Sequence, residues 1–236
     1  EGWYKKALDT DLARPKFAIM NPEITYTLPD YQTQCGCADI MMHTMERYFV
    51  LEDTMEITDK IAQDVMKNVM KYAKILKKDP ENYEARAEIM WCGSLSHNGL
   101  TGCGTCGGDW ATHLIEHELG GMFDVAHGAG LAAVWGSWAR YVMDEKPERF
   151  AQFAVDVMGV EESDDVKSTA LKGIEAVEEF YRMIEMPTNM KELGIDPTDE
   201  QIKDMAMKAT NHDTQQLGAF KKLSAKDLVE IYKTAK

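Results

Sequence analysis

Apolar residues recur at every third or fourth position over most of this 236-residue chain, with only short breaks between one run and the next. Ile61, Val65, Val69, Tyr72 and Leu76 fall on one stripe of a helix. Asp79-Pro80 stops that helix, since a residue followed by proline is driven out of the α region. A further helix is expected from about Asn82 to His97. Phe150, Phe153, Ala154 and Val157 mark another, ended by Gly159. Val166, Ala170, Ile174, Val177, Tyr181 and Ile184 mark one more, which ends before Pro187. Thr198-x-x-Gln201 and Ser224-x-x-Asp227 have the form of capping boxes and open the last two helices.

Only the beginning departs from the helical period. PKFAIMNPEITYTLP is rich in β-prone residues and holds turn signals at Asn21-Pro22 and Leu28-Pro29, so Phe17 to Met20 are expected as a short strand. A helix follows to about Phe49. The pattern predicts an all-α, multi-helical fold with a short β segment at the N-terminus. Residues 1–29 read as strand and linker, and 30–236 as one helical domain. No repeat or low-complexity tract interrupts it.

Composition narrows the setting. The chain is 44% hydrophobic and 28% charged, ordinary for a globular domain, and no apolar run approaches the roughly 20 residues that span a bilayer. A formal charge of −14 argues against nucleic acid or anionic membranes as partners. With no signal peptide visible and an odd count of five cysteines, a disulfide framework is disfavoured and a cytoplasmic setting with reduced thiols is expected. Cys35-Gly-Cys37 and Cys103-Gly-Thr-Cys106 could meet as a four-thiolate zinc site, or the second pair could act in redox chemistry from its glycine-rich stretch. Sixteen methionines read as core filler.

The chemistry concentrates in two segments. Asp39 and His43 stand four apart in ADIMMHTMERYF, a spacing that stacks both side chains on one helix face. His113, His117 and His127 crowd into WATHLIEHELGGMFDVAHGAGL, a stretch otherwise largely apolar, where a partnerless polar group costs free energy on burial. A metal would supply the partner. Asp39, His43, His113 and His127 make a mixed oxygen and nitrogen set that suits Fe2+, Zn2+, Ni2+ or Mn2+, whereas calcium asks for more oxygens. Asp109 and Trp110 are expected as a cap and a packing anchor for the His113 helix, and Asp124 as a partner for a ligand imidazole. His97 and His212 stand among polar neighbours and are left outside the site.

Asp39-x-x-x-His43, then His113-x-x-x-His117, then His127-Gly128 resembles the iron-containing alcohol dehydrogenases. The wording ITYTLPDYQ, DPENYEARAEIMW, DWATHLIEHEL and AHGAGLA is similar to the NAD(P)H-dependent butanol dehydrogenase branch. The resemblance implies a dehydroquinate synthase-like helical carboxy-terminal domain. It implies a catalytic divalent ion, Fe2+ foremost with Zn2+ or Ni2+ as alternatives, on Asp39, His43, His113 and His127. It places His117 beside that ion as a catalytic group, and Thr27, Leu28 and Lys5 (or Lys6) near a nicotinamide cofactor, NADH or NADPH. The substrates implied are small primary alcohols and aldehydes. Family members also carry an amino-terminal nucleotide-binding half. This chain starts at Glu1 rather than Met, so a truncated enzyme is expected, with residues 1–29 as a remnant of that half and with self-association through the face it would cover.

Gly128-x-Gly130-x-x-Ala133 also satisfies a loose dinucleotide fingerprint. That fingerprint needs a preceding strand, and helical HLIEHEL stands there instead, so the small residues are assigned to close helix packing. Two classes of function remain at this stage. One is the metal-bearing part of an oxidoreductase that works with its nucleotide half, and the other is a metal-binding helical module without dehydrogenase activity.

Overall fold

The computed structural model describes residues 2–8, 10–52 and 56–236. Among them run nine α-helices: α1 Asp30–Tyr48, α2 Glu56–Leu76, α3 Tyr83–His97, α4 Ala111–Phe123, α5 His127–Val142, α6 Pro147–Asp156, α7 Val166–Met183, α8 Asp199–Ala209 and α9 Ala225–Ala235. The boundaries follow local chemistry. Asn82 caps α3 by accepting from the Ala85 N–H, and Thr198 and Ser224 form complete capping boxes on α8 and α9. Residue Gly159 takes a left-handed φ of 71° beyond the end of α6. The all-α expectation holds.

The short strand at Phe17 to Met20 does not form. No strand pairing involves these residues, and the β contact described is a single bridge between Leu217 and Leu223. A strand is stabilised by an edge to pair with, and none is offered among the described residues; Phe17 and Ile19 are 80% and 85% exposed.

Helix α5 is the pivot of the packing. Its run from Gly128 to Gly136 is buried without a break, as expected for a helix apolar on all sides, and α1, α4, α7 and α9 pack around it. Close approach depends on glycine. A Cβ on Gly128 would lie 2.0 Å from the Cys35 carbonyl oxygen of α1, and one on Gly130 would meet the Glu116 side chain of α4. The bulky side of the core lies beyond the middle of α5, where Phe49, Trp135, Trp138, Phe150 and Phe153 cluster and Phe49 stacks on Phe150 at 4.3 Å between ring centres. Buried Arg149 fastens this end. It donates to both carboxylate oxygens of Asp59 (2.6 and 2.7 Å) and to the Tyr48 carbonyl, so α6, α2 and the end of α1 meet at one guanidinium.

Candidate metal centre

Three helices carry four convergent side chains. Asp39 and His43 share a face of α1, His113 lies in the first turn of α4, and His127 is the first residue of α5. Asp39 Oδ1 stands 3.6 Å from His43 Nε2, 3.7 Å from His113 Nε2 and 3.6 Å from His127 Nε2. These separations are too long for hydrogen bonds. Ligands about 2.1 Å from a shared ion stand about 3.4 Å apart at tetrahedral angles, close to what is seen. Asp39 Oδ1 and His113 Nε2 are also buried without any hydrogen-bond partner, an arrangement that costs free energy unless a cation lies between them. The donor set therefore fits a divalent transition ion.

Two buried glutamates stand behind the imidazoles. Glu46, seven residues after Asp39 on α1, accepts from the His113 main-chain N–H at 3.0 Å and faces the ring Nδ1 at 3.1 Å. Glu116 makes a short contact from Oε2 to His127 Nδ1 and an ion pair with Lys5 Nζ at 2.9 Å. Each carboxylate fixes the orientation of its histidine ring at Nδ1, so that Nε2 faces Asp39. Neither glutamate was singled out in the sequence, although Glu46 continues the Asp39 and His43 face and Glu116 follows His113 by three. Asp124, expected in this supporting role, is an exposed C-cap with φ of 53°. Its place after α4 turns it to solvent.

The backbone around α4 is held in unusual conformations. Trp110, at the N-cap of α4, has φ of 62°, and its ring lies 5.3 Å from that of His43 and 5.2 Å from that of His113. Non-glycine residues rarely adopt this region. Here Asp109 secures it, accepting from the Ala111, Ala219 and Phe220 N–H groups while its own N–H donates to the Glu46 carbonyl. Asp109 is thus a cap, as expected, and also a tie to the 217–223 loop. Gly108, at φ of 119°, has Glu46 oxygen 3.0 Å from where a Cβ would sit, so glycine is required there.

Burial lowers the His43 pKa to about 3, which keeps this imidazole a free base. Burial also works against charge on His113, but Asp39 and Glu46 outweigh it and push its pKa up to about 9. For Asp39, burial is outweighed by the imidazoles of His113 and His97 and the nearby His43 and His127, which hold the carboxyl far below its usual range. The centre concentrates negative potential on one point and turns imidazole nitrogens toward it.

His117 is partly buried one turn after His113, with its ring 5.6 Å from that of His127. It lines a cavity of about 520 Å³ with Tyr4, Lys5, Glu118 and Lys208. Burial, reinforced by Lys5, lowers its pKa to about 4. Lys5 also lies 3.0 Å from His127 Nδ1. Thr27 and Leu28 are exposed in the turn that precedes α1, roughly 15 Å along the helix from Asp39 at 1.5 Å per residue, and are not gathered with the four convergent residues. His97, set aside in the sequence, is at the centre's edge, with Nε2 3.5 Å from Asp39 Oδ2. Its position at the last residue of α3, packed on α1, could not be read from its polar neighbours.

The four-thiolate alternative does not form. Cys35 and Cys37 are buried in the core and Cys103 and Cys106 are exposed on the loop before α4, and all five cysteines are free. The groupings with metal-ligand spacing among the described residues are Asp39, His43, His113 and Glu116, His117, His127. The glycines after His127 serve helix packing, with no strand before them.

Residues 33–236 match the Fe-containing alcohol dehydrogenase family, C-terminal. The chain belongs to that family. It is 34% identical over 230 residues to NADH-dependent butanol dehydrogenase A of Clostridium acetobutylicum, covering 97% of this chain and 58% of that protein. It is 32% identical over 233 residues to NADPH-dependent aldehyde reductase YqhD of Escherichia coli, covering 98% of this chain and 59% of the relative. The crystal structure of NADH-dependent butanol dehydrogenase A from Thermotoga maritima superposes with a TM-score of 0.89 at 34% identity, over 97% of this chain and 58% of that one. The chain thus spans somewhat over half the length of these relatives. No helix among the described residues is long and apolar enough to cross a membrane.

Proposed function

We propose that this chain is the metal-bearing part of an NAD(P)(H)-dependent oxidoreductase that interconverts small primary alcohols and aldehydes, with Asp39, His43, His113 and His127 as ligands of one divalent ion. The observation that carries the reading is the pair of buried, unpartnered atoms Asp39 Oδ1 and His113 Nε2, 3.7 Å apart. Fe2+ is the preferred ion, with Zn2+ or Ni2+ as alternatives. When bound, such an ion would stabilise negative charge on the substrate oxygen, while hydride chemistry belongs to the nicotinamide.

The chain's own residues supply position and proton control. Glu46 and Glu116 orient the rings of His113 and His127 so that their Nε2 atoms face Asp39. His117, a free base at neutral pH, takes the proton from an alcohol hydroxyl at its ring nitrogen and returns it to the aldehyde oxygen in reverse. Lys5 holds Glu116 and the edge of the cavity that His117 lines. Thr27, Leu28 and Lys5 are assigned to the nicotinamide cofactor. Residues 1–29 are assigned to the nucleotide-binding part and 30–236 to the helical metal domain. Exposed Trp3, Tyr4, Leu8, Leu12, Phe17 and Ile19 form apolar surface that suits coverage by a nucleotide-binding half or a second copy in a homo-oligomer. Five free cysteines suit a reducing cytoplasm.

Hydride transfer needs the nicotinamide carbon held at near-attack distance, and a pyrophosphate cradle is absent from the described residues. The 236 residues assayed alone should give no measurable butanol oxidation or butyraldehyde reduction with either cofactor. A separately expressed nucleotide-binding half from a relative should restore turnover, and His43→Ala should remove it again. Association of the two parts without turnover would favour a metal-binding module that is not a dehydrogenase.

A further inference from the structure

His97 stands outside the four ligands assigned above, yet its geometry matches theirs. Its Nε2 lies 3.5 Å from Asp39 Oδ2, while the three other imidazoles place Nε2 at 3.6, 3.7 and 3.6 Å from Oδ1. The two oxygens of one carboxylate therefore face four imidazoles. At 3.5 Å the contact is too long for a good hydrogen bond. The tautomer points the same way: His97 Nδ1 contacts the Ser96 hydroxyl at 2.7 Å and the Gly93 carbonyl oxygen at 2.9 Å, and since the Ser96 hydroxyl itself donates to Gly93, a proton on Nδ1 satisfies both oxygens and turns Nε2 toward Asp39.

This ring is exposed but held in place. It stacks on His43 with 3.8 Å between centres and 30° between planes. Arg47 Nη1 donates to the His43 carbonyl at 3.0 Å and to the Ser96 carbonyl at 2.7 Å, which ties the turn of α1 that carries His43 to the end of α3 that carries His97. The Arg47 guanidinium in turn lies 4.6 Å from the centre of the Trp110 ring. His97 is also the last residue of α3, where the helix carbonyls favour a cation.

We propose that His97 is a further ligand of the ion held by Asp39, reached through the Oδ2 side of the carboxylate. The proposal rests on the metal centre assigned under Proposed function. One carboxylate and four imidazoles exceed the four ligands of a closed tetrahedral zinc site. They suit an ion that accepts five or six, such as Fe2+, Mn2+ or Ni2+. His97 thus biases the centre away from zinc.

The test loads the purified chain with Co2+ and follows its visible absorption and its affinity by chelator competition. Wild type should bind one Co2+ with the weak bands of a five- or six-coordinate ion. His97→Leu and His97→Phe, each checked for an unchanged fold by circular dichroism, should bind it about tenfold or more weakly, with stronger bands of lower coordination number. The ratio of Zn2+ to Co2+ affinity should rise in both. If wild type binds Co2+, His43→Ala abolishes it and both His97 variants match wild type in spectrum and affinity, the His97 proposal is overturned while the four-ligand centre stands. If wild type binds no Co2+, both fall together.

Discussion

Glu46 holds His113 at two points, accepting from its main-chain N–H at 3.0 Å and facing its ring Nδ1 at 3.1 Å with the same oxygen. One side chain of α1 thereby sets both the start of α4 and the direction of a ring. Glu46→Ala would leave two donors without partners in a buried place, a loss of about 2–4 kcal/mol in urea denaturation. It should also weaken metal affinity by about 10–100-fold. Glu46→Gln, which keeps an acceptor oxygen, should recover much of the stability but less of the affinity. An alanine variant equal to wild type in both measurements would refute this role.

Metal content provides a second test. Protein purified without chelator should carry close to one divalent ion per chain by elemental analysis, and His113→Ala or His127→Ala should lose most of it. Because the ligands come from three helices, binding should also raise the thermal midpoint. A stripped chain whose midpoint does not move when Fe2+ or Zn2+ is added would count against the centre.

Glu118 gives a pH signature. It is buried with Oε2 unpartnered, and burial raises its pKa from 4.5 to about 7 against the opposing pull of Lys208. The folded chain therefore binds this proton more tightly than the unfolded chain. Stability from the group is fully present below its unfolded pKa of 4.5 and is lost as pH rises through about 7. Glu118→Gln should remove that loss, so the variant melts above wild type at pH 8 and the gap closes toward pH 4.5. A gap that stays constant across this range would exclude the assignment.

Gly128 sets a steric prediction. Its Cβ would lie 2.0 Å from the Cys35 carbonyl oxygen, so Gly128→Ala must push α1 and α5 apart, at about 3 kcal/mol or more. The same shift would carry His127 away from Asp39 and weaken metal binding. Gly36→Ala, where a Cβ meets nothing within 4 Å, should instead be neutral or stabilising by about 0.5–1 kcal/mol. Equal stability of the two variants would contradict the close approach.

The helices and the shared face of Asp39 and His43 were legible in the sequence because both depend on local spacing. Val65, Val69, Tyr72 and Leu76 are buried on α2 as their period requires, and Asp39 and His43 share a face because four residues make about one turn. What was not legible depended on burial and on distant segments. Glu46 and Glu116 look like the solvated glutamates of any helix until α4 and α5 close over them. His97 joins Asp39 only because α3 packs on α1. Phe17 to Met20 have strand-forming residues, but strand formation needs a second strand, which no local pattern can provide.

The separation of the ligands along the chain also has a consequence in time. Asp39 and His43 lie on α1, whereas His113 and His127 come on α4 and α5, about 70 residues later. At roughly 5–20 residues per second of synthesis, several seconds pass between the two pairs. During that interval the nascent chain would own only part of the proposed ligand set, too little to retain an ion firmly. With the proposed ligand set, capture of an ion would wait for α5, and its identity would reflect what surrounds the nearly finished protein rather than what was present when α1 was made.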